Sequence, residues 1–166
     1  ILNNPQYTII KLKSANHREL SMRTDQAPFT DPRVRQAVAL TFNRPAMVQA
    51  LLHGLGDVGN DSPFAPKFVS TNKSVPQRVQ DVAKAKQLMA AAGHAKGFDV
   101  TLATEDYQEI PKLAQVVQSA AAAINIKIKI TVESQAAYFG KSTFGNSDWL
   151  DSTMSLVDYG DRGVPN

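Results

Sequence analysis

The sequence predicts an α/β fold: a mixed β-sheet that carries a βαβ unit and is flanked by helices. Three stretches carry that prediction. Ile126, Ile128, Ile130 and Val132 alternate with Lys127, Lys129, Thr131 and Glu133, the period of two expected of a strand with one buried face. Ahead of them, Ile110, Leu113, Val117, Ala120 and Ile124 recur at helical spacing, widened by Val116 and Ala121, with Pro111 near the start. Earlier still, Phe98, Val100 and Leu102 alternate with Asp99, Thr101 and Ala103. Strand, helix and strand with short joints form a crossover unit, whose two strands should run parallel with a right-handed connection.

The remaining elements follow in chain order. Tyr7 to Lys13 reads as a strand and His17 to Arg23 as another, joined by the polar turn Ser14-Ala15-Asn16. In the second, Leu20 and Met22 face one way and Glu19, Ser21 and Arg23 the other. Asp31 and Pro32 then start a helix. The aspartate can accept from free first-turn amides, and proline's fixed φ suits the first helical position. Val34, Ala37, Val38 and Thr41, with Phe42 beside them, form its packing face, while Arg33, Arg35 and Gln36 point elsewhere. Asn43 caps a second helix with Pro45 in its opening turn and Met47, Val48, Leu51 and Leu52 as a buried stripe. Gly54 should end it in the left-handed conformation. Asp57 to Pro76 reads as a long loop, where a binding surface could sit. From Asp81, Val82, Ala85, Leu88, Met89 and Ala92 signal a third helix that stops at Gly93, with Lys84 and Lys86 on its solvated side. Beyond the βαβ unit, Ala136 to Phe144 reads as a short helix and Gly145 to Asp148 as a turn. Ser152 to Val157 is a last strand leading into Asp158-Tyr159-Gly160.

A chain of 166 residues is about one domain and long enough to bury a core. No apolar run approaches a membrane span, and no segment has the charged start and apolar middle of a signal peptide. The chain opens on Ile1 rather than Met, so it reads as an excised or processed piece. With no cysteine, disulfide and thiol chemistry are excluded. A net charge of +3 and a pI near 9.2 raise the question of nucleic acid. The basic residues are scattered and interrupted by acids, so no nucleic-acid partner is predicted.

Gly54-Leu55-Gly56-Asp57-Val58-Gly59 matches a dinucleotide fingerprint in letters only. That chemistry needs a strand before the glycines and a helix after them, whereas here a helix precedes and the loop Ser62-Pro63-Phe64-Ala65-Pro66 follows. His17, His53 and His94 lack the paired spacing of a helical metal site. No nucleophile elbow, phosphate loop or zinc-protease motif occurs. Glu105-Asp106 sits between a strand end and a helix start, where anchoring the turn and complementing the helix dipole explain it. The prediction is therefore a protein that is not an enzyme, with no cofactor and no metal.

One set of motifs goes further. Pro28-Phe29-x-Asp31-x-Arg33-Val34-Arg35-Gln36-Ala37 is followed by Asn43-Arg44 and Gly54, then by Ala83-Lys84-Ala85-Lys86-Gln87-Leu88 with Ala92-Gly93. Phe98-Asp99-Val100-Thr101-Leu102 and Asp158-Tyr159-Gly160-Asp161-Arg162-Gly163-Val164-Pro165 complete it. From about Tyr7 onward this resembles the second lobe of the bacterial extracellular solute-binding proteins of family 5, the peptide and nickel class that serves ABC importers. The resemblance implies a periplasmic-binding-protein-like lobe, with residues 1–166 as a single domain, lobe II of two. Residues 1–26 and 152–166 would lie near the inter-lobe connections, so the first two strands form a hairpin or cross between lobes. It implies capture without chemistry, in the periplasm or anchored outside the membrane: a small solute, expected to be an oligopeptide, held against a first lobe absent here and delivered to an ABC permease. The same family also admits a metal chelate, a sugar or another small solute, and a stand-alone enzyme or regulatory domain is the reading from another class.

By the same resemblance, the ligand-binding residues are Asp158, Val157, Tyr159 and Arg162. In peptide-binding relatives the aspartate matching Asp158 pairs with the ligand's α-ammonium group, while neighbouring backbone groups bond the peptide as an added strand. The alternative is a strand-end aspartate that caps the following turn. Two departures stand out. Asn43 replaces the usual Asp, which leaves capping intact. Met154, Ser155 and Leu156 stand where many relatives carry Trp, and Trp149 is either an aromatic wall supplied from nearby or a core residue. Arg162 could meet a ligand carboxylate or close a salt bridge across the cleft.

Overall fold

The computed structural model describes residues 6, 8, 10, 14–62, 64, 68 and 71–160. Its elements are β1 (His17–Met22), α1 (Pro32–Leu40), α2 (Arg44–Leu52), α3 (Val82–Ala91), β2 (Asp99–Glu105), α4 (Ile110–Ala122), β3 (Lys127–Glu133), α5 (Gln135–Phe139), α6 (Asp148–Asp151) and β4 (Met154–Tyr159). The strands form one mixed sheet in the order β1-β4-β2-β3. β2 and β3 pair in parallel from Asp99↔Lys127 to Glu105↔Glu133, as the crossover pattern requires. β4 joins β2 in parallel through Leu102↔Met154 and Thr104↔Leu156, and β1 closes the other side antiparallel, from His17↔Tyr159 to Met22↔Met154. The carboxyl ends of three strands and the start of β1 therefore share one end of the sheet.

Local chemistry explains where the helices begin. Asp31 accepts from the Arg33 amide, Asn43 from Ala46, Asp81 from Lys84 and Ser134 from Ala137, each satisfying a donor that the helix cannot pair internally. One face of the sheet, through Leu102, Ile128, Met154 and Leu156, packs against Val34 and Val38 of α1, Ala85 and Met89 of α3, and Ile110, Leu113 and Val117 of α4 in a single core. The other face carries a smaller cluster, Ala103, Tyr138 and Val157, with Phe139, Trp149 and Tyr159 packed against it. Those side chains come from α5, α6 and the strand tips, so this layer covers the carboxyl end. At the amino end an open groove remains, lined in part by Asp99, Thr101, Lys127, Lys129 and Thr153.

Several boundaries differ from expectation. The α2 stripe of Met47, Val48, Leu51 and Leu52 is half-buried, not buried, because no element closes over its outer side among the described residues. Its left-handed exit begins one residue early, at His53 with φ 51°, and continues through Gly54 at 75°. α5 stops at Phe139, an extra helix, α6, follows the predicted turn Gly145 to Asp148 from its last residue, and β4 runs two residues past Val157. The strand expected over Tyr7 to Lys13 lies largely outside the described residues, as does Arg162. Between α2 and α3 the described residues form neither helix nor strand. That stretch is tied at its neck, where Asp61 binds Arg44 at 2.5 Å and also Arg78, and Asn60 accepts from the Arg78 amide at 2.8 Å. Gly97, at φ +73°, admits no side chain, since a Cβ there would sit 1.8 Å from the Asn125 carbonyl oxygen.

Candidate ligand-binding site

In open α/β sheets, ligands bind outside the carboxyl ends of the strands, where neighbouring connections diverge. Here that end is built around the tip of β4. The β2–β4 ladder runs out at Leu156, and the next free amide, that of Asp158, donates to Glu105 Oε1 at 2.9 Å. A side chain thus continues the ladder. Glu105 is only 1 % exposed, and its other oxygen accepts from Gln135 Nε2 at 2.6 Å, tying the tip of β4 to the first residue of α5. The sequence reading of Glu105 as a turn anchor was too modest. The available signal was its parity with Ala103, which places it on the same covered face.

The Asp158 carboxylate is engaged by Arg18. Arg18 is its Cα partner across β1 and β4, and its Nη1 donates to Asp158 Oδ1. Arg18 Nε donates to Glu109 Oε1 at 2.5 Å and Nη2 to Gln108 Oε1 at 2.9 Å, so one guanidinium spans β4 and the β2–α4 loop. Gln108 holds a left-handed φ of 48°, a conformation that a residue with a Cβ adopts at some cost. Burial works against the charge on Arg18, but the Glu109 hydrogen bond and the attraction of Glu109 and Asp158 outweigh it, holding the guanidinium above its usual pKa. Burial likewise opposes ionisation of Glu109. The Arg18 bond and a backbone amide prevail, and its pKa falls below the ordinary carboxylate value. Two carboxylates, Asp158 and Glu109, thus share one guanidinium, while Glu105 holds the Asp158 amide from the other face of the sheet. Neither Arg18 nor Glu109 was singled out from sequence, because their meeting depends on strand register.

The pleat divides the expected binding residues. Asp158 points to the α4 side with Arg18, whereas Val157 and Tyr159 point to the other. Val157 is buried at 1 % exposure, so its side chain is core. Tyr159 is half-buried, with the His17 ring 5.4 Å and the Trp149 ring 6.2 Å from its own. Trp149 also meets Phe139 at 5.5 Å, and Phe139 meets Tyr138 at 5.1 Å, forming an aromatic row along that face. Trp149 is thus both a packing residue and part of a half-exposed wall. Tyr138 and Thr104 donate to the same Leu156 carbonyl, each at 3.0 Å, which fixes the strand just before its tip, and burial pushes the Tyr138 phenol up. Because β4 lies between β1 and β2, its edge toward β1 is occupied along Met154–Tyr159 and its edge toward β2 along Met154–Leu156. Past Leu156, the edge left without a strand partner is the one toward β2, where the Asp158 amide already donates to Glu105.

Among the described residues, no three His, Asp or Glu side chains come together as a metal site. The glycine fingerprint follows α2 and enters the loop, so the strand that a dinucleotide site needs before it is replaced by a helix.

The family model for bacterial extracellular solute-binding proteins, family 5 Middle, matches residues 1–161. The chain belongs to this family. Among family 5 relatives, it is 30% identical over 132 residues to the glutathione-binding protein GsiB of Salmonella choleraesuis, covering 79% of this chain and 25% of that protein. The chain thus spans about a quarter of the length of the curated relatives it matches. Among solved structures, the periplasmic binding protein DppA of Helicobacter pylori, in complex with the peptide STSA, superposes with a TM-score of 0.78 at 28% identity, over 89% of this chain and 28% of that one. AgaA of A. tumefacien R10, in complex with agropinic acid, gives 0.75 at 27% identity, over 87% and 29%. The α/β lobe described above is therefore a periplasmic-binding-protein lobe.

Proposed function

We propose that this chain is lobe II of a two-lobe solute-binding protein that captures an amine-bearing solute, a peptide in the first instance, for an ABC importer. In this reading the connections to the other lobe lie near residues 1–26 and 152–166. The observation that carries it is the Asp158 carboxylate, set at the carboxyl end of the sheet where it and Glu109 share the single guanidinium of Arg18. An ionised carboxylate offers about four lone-pair directions, so a ligand ammonium group can bond to Asp158, and in a closed, water-poor cleft that bond is strong. Tyr159 supplies an aromatic side to the same rim, Val157 acts from beneath by packing the strand tip in place, and Arg162 meets the ligand or the opposite lobe. Two lobes hinge about the solute, and its higher affinity for the closed form drives closure. The closed form, in the periplasm or tethered outside the membrane, is what the permease recognises.

The peptide reading is supported by relatives named for glutathione and solved with the peptide STSA. A second reading, a non-peptide small solute, is favoured by AgaA, whose ligand is agropinic acid. The test uses the full-length polypeptide carrying this lobe, with trialanine and N-acetyl-trialanine as calorimetric probes. Trialanine should bind more tightly than its acetylated form, and Asp158→Asn should weaken trialanine by roughly 10- to 100-fold, the worth of one charge-assisted bond. Equal affinities of wild type and Asp158→Asn for trialanine would remove Asp158 from the site.

A further inference from the structure

Arg18 is bound in a way that a purely structural arginine does not require. Its three contacts reach Asp158 at the tip of β4 and Gln108 and Glu109 in the loop before α4. Two of these partners are carboxylates, so detaching one leaves the guanidinium still paired. The third is an amide presented from a left-handed backbone, the kind of local strain that persists where the surroundings enforce it. The Arg18 side chain is 21 % exposed and that of Asp158 14 %, so water and small solutes reach the pair without unfolding anything.

We propose that Arg18 is an internal stand-in for the ligand's ammonium group: it occupies Asp158 in the empty lobe and yields that carboxylate to an incoming primary ammonium, while staying tethered to Glu109 and Gln108. The proposal rests on the reading that Asp158 faces the solute. Its physical logic is exchange. One cation replaces another on Asp158, so the carboxylate is never left bare and unpaired, the state that is most costly for a partly buried charge. A neutral or anionic solute cannot make the exchange and meets a carboxylate already neutralised. Arg18 therefore sets the affinity for cationic solutes by competing with them for Asp158, while a solute without a cation neither displaces it nor gains from its removal.

The experiment has two arms on the full-length polypeptide. In the first, crystals of the ligand-free wild-type protein are soaked in methylammonium chloride. The ammonium nitrogen should appear within hydrogen-bond distance of Asp158, with Arg18 Nη1 withdrawn and Nε still on Glu109. If Arg18 keeps its contact with Asp158 while methylammonium binds elsewhere or nowhere, the exchange is refuted. In the second arm, Arg18→Gln should tighten trialanine binding about fivefold, the effect of removing one partly exposed competing ion pair, and leave N-acetyl-trialanine unchanged. Arg18→Lys, which keeps the charge but loses the fork, should fall between. Weaker or unchanged trialanine binding in Arg18→Gln, with Asp158→Asn still harmful, would make Arg18 structural and leave the site reading intact. A harmless Asp158→Asn would instead overturn the site reading itself. If wild-type protein ignores trialanine altogether, the peptide reading fails and the methylammonium arm still decides the role of Arg18.

Discussion

Replacing Glu105 by alanine removes the acceptor that extends the β2–β4 ladder to the Asp158 amide at 2.9 Å, together with the bond from Gln135 at 2.6 Å. The two losses are unequal. Gln135 is exposed, so its amide recovers water, whereas the Asp158 amide lies at a half-buried strand tip beneath a packed layer. A hydrogen bond to a charged acceptor is worth about 1.5–3 kcal/mol, and release of the buried carboxylate from its own desolvation returns part of that. The expected loss is about 2 kcal/mol, or roughly 4–8 °C in Tm for a chain of this size. Glu105→Gln keeps an oxygen for the Asp158 amide and should cost about half as much. Urea unfolding followed by circular dichroism gives the free energies, and hydrogen exchange at the Asp158 amide gives the local effect. The reasoning fails if alanine costs less than about 0.5 kcal/mol, if glutamine is as damaging as alanine, or if exchange at Asp158 is unchanged.

Other outcomes follow from the same structure. The Arg33 side chain, then its backbone amide, hold the Asp31 carboxyl at about 2, below its ordinary 3.8. The stability this confers is complete above about pH 4 and drains away as pH falls toward about 2, so Asp31→Asn should flatten that part of the acid-unfolding curve. Gly97→Ala should cost more than about 2 kcal/mol in denaturant unfolding, because it combines a positive φ with a collision against backbone, which cannot move aside as a side chain tip can. The chain by itself should unfold cooperatively yet bind trialanine weakly or not at all. A micromolar calorimetric signal from it would show that a single lobe suffices.

Elements whose evidence is local were legible in the sequence. Asp31-Pro32, Asn43 and Asp81 mark their helices because a cap is chosen by the amides within one turn of it. The alternation through Ile126–Val132 and the stripe of α4 gave the parallel pair β2 and β3, because a period survives without knowledge of the partner. What depends on register was hidden. Arg18 meets Asp158 across 140 positions and Glu109 across 91, and nothing in either neighbourhood announces the pairing. The length of β4 was misjudged for a related reason. Asp158 is a poor strand former and Gly160 follows close behind, which argues for an end at Val157, but pairing with β1 and the Glu105 contact hold Asp158 and Tyr159 extended. The shape of α2 erred in the other direction, since an apolar stripe states a preference for burial and cannot guarantee a neighbour.

The antiparallel placement of β1 beside β4 has a mechanical corollary. His17 and Tyr159 face one another, so the polypeptide enters and leaves the sheet as two ribbons about 5 Å apart. A body joined at this end of the sheet would be carried by both ribbons together, with the Asp158 carboxylate one residue inside the junction.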